Sequence, residues 1–173
     1  MPIRMLLFLF LAFIAIPADA FGSDKSSDCV EMAEKAEAFL QDKGKDYALK
    51  VFSVSKGPFI DRELYVFVCS MDGVMLAHPY RRDLVGQNVV ALKDSKGKEI
   101  FQEFRKVAEE RGSGWVDYWW SKPGEQGQFA KMTYIKRIPD QNLYVGVGYY
   151  QEEPPIGAQT RARSHAEEYS GAR

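Results

Sequence analysis

Residues 64–77 read Leu64-Tyr65-Val66-Phe67-Val68-Cys69-Ser70-Met71-Asp72-Gly73-Val74-Met75-Leu76-Ala77. The first six are largely β-branched or aromatic, the composition of a strand. Asp72-Gly73 is the dipeptide that closes a two-residue hairpin, because its glycine adopts positive φ without strain. Val74 to Ala77 then returns as the partner strand. His78-Pro79 closes it, since proline has no N–H to extend an interior ladder. The stretch predicts strands one and two of an antiparallel sheet.

Downstream, residues 80–98 are polar, with Gly86 and Gly97, and read as a long connection. Ile100, Phe101, Phe104, Val107 and Ala108 recur at helical spacing, and Gly112 ends that helix. Trp115 to Trp120 is an aromatic strand, and Lys122-Pro123-Gly124 opens a polar loop. Phe129 to Ile138 is the next strand, Pro139-Asp140-Gln141-Asn142 a turn, and Leu143 to Tyr150 the last strand. Upstream, Asp28 and Glu31 suggest a capping box that starts a helix. Cys29, Ala33, Ala36 and Leu40 supply its apolar stripe, and Gly44 ends it. Tyr47, Ala48, Val51 and Phe52 repeat the spacing in a second short helix, stopped by Lys56-Gly57-Pro58. Residues 21–27 read as loose.

The order predicts an α+β fold, a five-stranded antiparallel sheet with helices gathered on one side. The N-terminal helix packs one face. The other face curls around a ligand under the helix-containing connection between strands two and three. The domain spans 28–152, and the polar stretch 153–173 reads as disordered or marginally helical.

The first twenty residues stand apart. Arg4 precedes the apolar run Met5 to Ile16, Pro17 breaks it, and Ala18-Asp19-Ala20 puts small residues where a signal peptidase reads. Twelve apolar residues are short of the roughly 20 that span a bilayer. The expectation is cleavage after Ala20, with no stable membrane insertion afterwards. Removing these residues leaves the formal net charge at −1, with both signs interspersed. No clustered basic excess marks a nucleic-acid surface. Cys29 and Cys69 are the only cysteines. They could form a bridge in an oxidising compartment, but two separate buried thiols is the favoured reading. With only His78 and His165 to join them, no metal site is expected.

The sequence resembles the single Cache domains, specifically the second class of these extracellular sensor modules of calcium channels and chemotaxis receptors. The resemblance runs from Gly57 to Tyr150. It is carried by Gly57-Pro58-Phe59, Glu63 to Val68, Met71-Asp72-Gly73, Ala77-His78-Pro79 and Gly86-Gln87-Asn88. It continues through Gly112 to Trp120, Lys122-Pro123-Gly124, Lys131 with Tyr134, and Gly146 to Tyr150. It implies a PAS-like sheet that binds a small ligand, often a short organic acid, and signals through an output domain. The sequence departs from the receptor form, since no second hydrophobic segment and no kinase, cyclase or methyl-accepting region follows. The expectation is a free periplasmic or secreted binder whose occupancy is read by a membrane sensor protein. The alternative is a Cache-fold interaction protein that docks a sensor kinase or envelope partner.

A small carboxylate needs cations and polar donors converging in an apolar pocket. The ligand-binding candidates are His78, Arg81, Tyr118, Trp120, Lys131, Tyr134 and Tyr150. His78 serves the ligand or else holds the strand end. Tyr118 and Trp120 alternate with Trp119 and so share a face, as pocket walls or as core. Lys131 is a cation within an apolar strand, unless it snorkels to solvent. Tyr134 and Tyr150 could instead be cross-strand packing. Arg81, or its neighbour Arg82, could clamp a carboxylate from the connection or be exposed loop charge. No Gly-x-Ser-x-Gly elbow, phosphate loop or His-Glu-x-x-His occurs, so neither catalysis nor a cofactor is expected. Gly146-Val147-Gly148 ends a strand and carries no nucleotide signal.

Overall fold

A computed structural model describes residues 24–151. Helix α1 (Lys25–Lys43) buries Cys29, Ala33, Ala36 and Leu40, one stripe of the helix. It starts a turn earlier than the Asp28–Glu31 pair suggests. Asp24 is the N-cap and accepts the Ser26 N–H at 3.3 Å, while the Ser27 hydroxyl donates to the Asp24 carbonyl at 2.8 Å. Asp28 falls in the first turn, where Arg62 reaches it at 2.9 Å. Residues 24–27 are therefore helix and cap. Gly44, with φ of 79°, ends α1 and donates its N–H to Leu40. Helix α2 (Lys45–Phe52) follows directly and buries Ala48 and Phe52.

Six strands form one antiparallel sheet: β1 (Ile60–Asp61), β2 (Leu64–Ser70), β3 (Met75–Ala77), β4 (Ser113–Trp120), β5 (Phe129–Ile138) and β6 (Leu143–Tyr150). The five expected strands are present, and β1 is additional. It has two residues and is defined by pairing alone, Ile60 with Tyr65 and Asp61 with Leu64, so no composition signal marks it. The order is β1-β2-β6-β5-β4, with β3 sharing the outer edge of β2. The last strand thus lies at the centre, between β2 and β5.

The hairpin loop holds three residues, not two. The Gly73 N–H donates to the Ser70 carbonyl and the Ser70 N–H to the Val74 carbonyl, both at 2.9 Å. Gly73 has φ of 86°. This is a turn followed by a left-handed glycine, the usual three-residue hairpin.

Both faces of the sheet are covered. Leu64, Val66, Val68, Val145 and Val147 meet α1 and α2. Tyr65, Phe67, Tyr118, Trp120, Ile135 and Tyr150 meet Phe101, Phe104 and Val107 of α3 (Ile100–Arg111), with Val89 of the connection. Helix α3 therefore does not join the other helices on one side. Its apolar stripe needs a partner, and the connection from β3 delivers it to the second face. Cys29 belongs to the first core and Cys69 to the second, with the sheet between them, and both are free and buried.

Gly146 and Gly148 shape the α3 face. A Cβ on Gly146 would lie 2.2 Å from Phe67 Cζ, and one on Gly148 would lie 2.1 Å from Thr133 Oγ1 and 2.9 Å from Lys131 Cε. Their hydrogens leave room for the Phe67 ring and the Lys131 stem, which is why this central strand carries Gly-Val-Gly.

Candidate functional site

Strand parity decides which side chains meet. Lys131 pairs with Tyr118 of β4 and Tyr150 of β6, so all three face the same way. Trp120 is two residues beyond Tyr118 and joins them. Lys131 is 1 % exposed. Its stem crosses Gly148 and sets Nζ 3.8 Å from the centroid of the Tyr65 ring and 4.7 Å from that of Tyr150. Among the described residues no acceptor bonds this ammonium.

Magnitudes show what that arrangement lacks. A desolvated ammonium loses several kcal/mol of hydration even after the protein relaxes. A cation over an aromatic face recovers about 0.5–2 kcal/mol. Two rings do not close the gap, so burial draws the Lys131 pKa down to about 7, against smaller upward pulls from Cys29 and Glu63. Glu63 itself pairs with Lys25 at 3.2 Å. The site presents a cation with no hydrogen-bonded anion.

His78 enters from the end of β3. Its Nδ1 accepts the backbone N–H of Tyr80 at 3.1 Å and of Arg81 at 3.0 Å. In the neutral ring the proton then sits on Nε2. Burial, then Lys131, then Arg81 lower its pKa to about 3, so the ring is a neutral donor. His78 does hold its strand end, but through amide donors of the next turn rather than through a carbonyl. Its ring also lines a cavity of about 10 Å³ with Phe67, Phe101, Phe104, Tyr118 and Trp120, room for about one water.

The hydroxyls are directed inside the same layer. Tyr118 shares a 3.0 Å hydrogen bond with Thr133, and Tyr150 donates to the Ser121 carbonyl at 2.7 Å. Burial pushes the phenols of Tyr65, Tyr118 and Tyr150 upward. All three are therefore neutral at physiological pH.

Arg81 is not a free clamp. Its Nε and Nη2 reach the two carboxylate oxygens of Asp83 at 2.9 and 2.7 Å, while its guanidinium stacks 5.5 Å over the Trp120 ring. It sits half-buried at the rim, with its charge offset by an aspartate two residues on. Arg82 is exposed.

Tyr134 does not join the group. It is three residues from Lys131, an odd spacing that sends it to the α1 face, against Trp115 at 5.2 Å. The α3 face thus assembles Lys131, His78, Tyr118, Trp120 and Tyr150, with Arg81 at the rim. Tyr65, Phe67, Thr133, Phe101 and Phe104 complete it and were not among the sequence candidates. The alternation Tyr65-x-Phe67 puts those two on one face, but only the strand order shows that it is the face of Lys131.

The comparisons agree with this architecture. The sequence profile of the Cache domain matches residues 35–163. The methyl-accepting chemotaxis protein McpP of Pseudomonas putida is 27 % identical over 120 residues, covering 69 % of this chain and 22 % of that protein. The chain thus spans about a fifth of that relative's length. A Cache chemosensory domain solved for carboxylic acid recognition superposes with a TM-score of 0.67 at 24 % identity, over 74 % of this chain and 94 % of that one. A periplasmic sensor domain of a chemotaxis protein superposes with a TM-score of 0.61 at 28 % identity, over 73 % and 90 %. Among the described residues no helix is long and apolar enough to cross a membrane, and no cluster of histidine, cysteine and carboxylate side chains is placed to hold a metal. The profile match covers most of the chain and the fold is that of the superposed sensor domains: this protein belongs to the Cache domain family.

Proposed function

We propose that this protein is an exported sensor-type domain that binds a small organic acid on the α3 face of its sheet and performs no catalysis. The observation that carries the reading is Lys131, a buried ammonium without a hydrogen-bond acceptor among the described residues. A carboxylate beside Nζ would supply the missing acceptor and charge. His78 Nε2–H offers a second donor, with Tyr118, Trp120, Tyr150 and Tyr65 as walls. The apolar remainder of the acid would lie among Phe67, Phe101 and Phe104. The superposed Cache chemosensory domain that recognises carboxylic acids supports the ligand class by analogy of fold.

The cavity of about 10 Å³ is smaller than any carboxylic acid, so binding must move the connection or α3. Residues 79–85 are the segment to move. Their backbone is held by His78 Nδ1 and one local turn, whereas residues 86–89 bond back to Gly73 and Met75, and Asp94 accepts the Trp119 N–H at 3.0 Å. Export is part of the proposal, supported by the leader-like layout of residues 1–20. Occupancy would then be read by a membrane sensor partner.

Thermal unfolding of the purified protein against short carboxylates, amino acids and amines tests the ligand class. A ligand at a hundred times its dissociation constant adds about 2.7 kcal/mol. Stabilisation by carboxylates and not by amines is expected. Stabilisation by amines alone, or by nothing in the panel, would remove the reading and leave the interaction protein in its place.

A further inference from the structure

We propose that the site takes up a carboxylate and a proton together, so that above neutral pH the domain responds to the product of their concentrations. The inference rests on the carboxylate reading given above and adds a regulation to it. In the step, the neutral Lys131 amine takes one proton from solvent as the carboxylate settles beside it. The nitrogen lone pair forms the new N–H bond, the ligand stays an anion, and no other bond changes.

The geometry around Nζ supports it from every element packed there. From β2 comes the Tyr65 ring, and just before it Glu63, whose carboxylate meets Lys25. From β6 comes Tyr150, whose hydroxyl is given to Ser121. From β4 comes Tyr118, given to Thr133. From the connection come His78 and Arg81, both raising the positive potential or leaving it unchanged, with Tyr80 against Tyr65. Across the sheet, on α1, Cys29 acts only through its field and is a buried thiol that burial pushes up to about 12. Asp83 is spent on Arg81. No side chain in this shell accepts a hydrogen bond from the ammonium, and the pull of Glu63 is smaller than the cost of burial, so the protein alone holds its proton weakly, at about 7. The other groups titrate far from neutrality: His78 at about 3, and the three buried tyrosines well above their usual range. Lys131 is therefore the group of this shell positioned to exchange a proton near pH 7, and a bound carboxylate draws that proton on.

The test uses the full chain with sodium acetate and sodium propionate as probes, titrated calorimetrically from pH 5.5 to 8.5. Each pH is run in two carboxylate-free buffers of different ionisation enthalpy. Affinity should be flat below about pH 6.5 and fall about tenfold per pH unit well above 7. Proton uptake, read from the dependence of heat on the buffer, should rise from near zero to near one over the same span. In parallel, carbon-13 at the lysine ε position, with Lys131 assigned by its loss in Lys131→Arg, should titrate near neutrality in the ligand-free protein. Binding with flat affinity and no proton uptake, or a ligand-free midpoint above about 9.5, would overturn the proposal while leaving the carboxylate reading intact. Absence of binding to either probe at every pH would overturn the carboxylate reading and this inference with it.

Discussion

Lys131 Nζ stands 3.8 Å from the centroid of the Tyr65 ring, reached across Gly148, the only residue type that leaves room for the lysine stem on that central strand. Tyr65 is ordinary in its strand, whereas Lys131 is a cation in an apolar one. Together they make a buried cation with a ring face where water or an anion would otherwise be, which is destabilising for the domain and favourable for an anionic ligand.

The stability cost has a pH signature. An unfolded lysine titrates near 10.4 and Lys131 near 7, so between these values the unfolded chain binds more protons and stability rises with pH. The penalty is fully present below about pH 7 and gone above about 10.5. Lys131→Met keeps the stem and removes the charge. It should raise ligand-free stability at pH 6 by a few kcal/mol, and the gain should shrink towards pH 9.5. Urea unfolding of both proteins at several pH values measures this, and a gain independent of pH would count against a charged, buried Lys131.

His78 serves the loop that follows it. Replacing it with alanine removes the acceptor of two backbone N–H groups, Tyr80 and Arg81. A loss of about 1–3 kcal/mol is expected, with faster hydrogen exchange confined to residues 79–85. The ring is also kept neutral down to about pH 3. Its unfolded counterpart charges near 6.5. The stability this ring contributes is therefore fully present above about 6.5 and falls steadily as pH drops towards 3, because the unfolded chain takes up a proton that the folded ring does not. Unchanged exchange at Tyr80 and Arg81 in His78→Ala would show that the ring does not hold the turn.

Gly146→Ala tests the central strand. The new methyl would lie 2.2 Å from Phe67 Cζ, and overpacking of this kind costs roughly 1–3 kcal/mol. Gly124→Ala is the contrast: nothing lies within 4 Å of its Cβ, and its φ of 81° makes the cost backbone strain alone. Equilibrium unfolding should show the Gly146 change accompanied by altered Phe67 ring shifts in NMR, and the Gly124 change without them.

The two cysteines give a fourth check. They occupy separate cores with the sheet between them. Alkylation of the native protein should be slow at both, because burial raises their thiols to about 12 and 11 and thiolates are the reactive form. Denatured without reductant, both should react fully. Mass shifts for two alkyl groups check this, and blocked thiols would reveal a bridge.

Much of this fold can be read from local signals. The hairpin from Leu64 to Ala77, the glycine stop at Gly44 and the stripe Ile100-Phe101-Phe104-Val107-Ala108 all lie where their composition puts them. What escapes is non-local. A two-residue strand such as Ile60–Asp61 exists through its partner only. The place of α3 is half legible: the connection is expected over the face opposite α1, as found, while the helices are not gathered on one side. The site divides the same way. Lys131 is visible as a cation in an apolar strand, and Tyr118 and Trp120 share a face by parity. Tyr134 fails by the same parity rule, applied to its three-residue distance from Lys131. Tyr65 could not be joined to Lys131 without knowing that β6 lies between β2 and β5. The capture of Arg81 by Asp83, by contrast, was available from their spacing of two.

The face assignment can be checked in binding. Tyr134 packs on Trp115, away from Lys131. Tyr134→Ala should leave carboxylate affinity within about twofold, whereas Trp120→Ala should weaken it by tenfold or more, equivalent to about 1.4 kcal/mol. The reverse ranking by calorimetry would move the pocket to the α1 side.

The most direct measurement is calorimetric titration of the parent protein and Lys131→Met with a short carboxylate at pH 6.5, each confirmed to be folded. The parent should bind saturably, one ligand per chain, and the variant should bind at least about thirty-fold more weakly, the lower end of the 2–5 kcal/mol lost when a buried charge partner is removed. Equal affinity in the two proteins would contradict Lys131 as the anchor and place the ligand elsewhere.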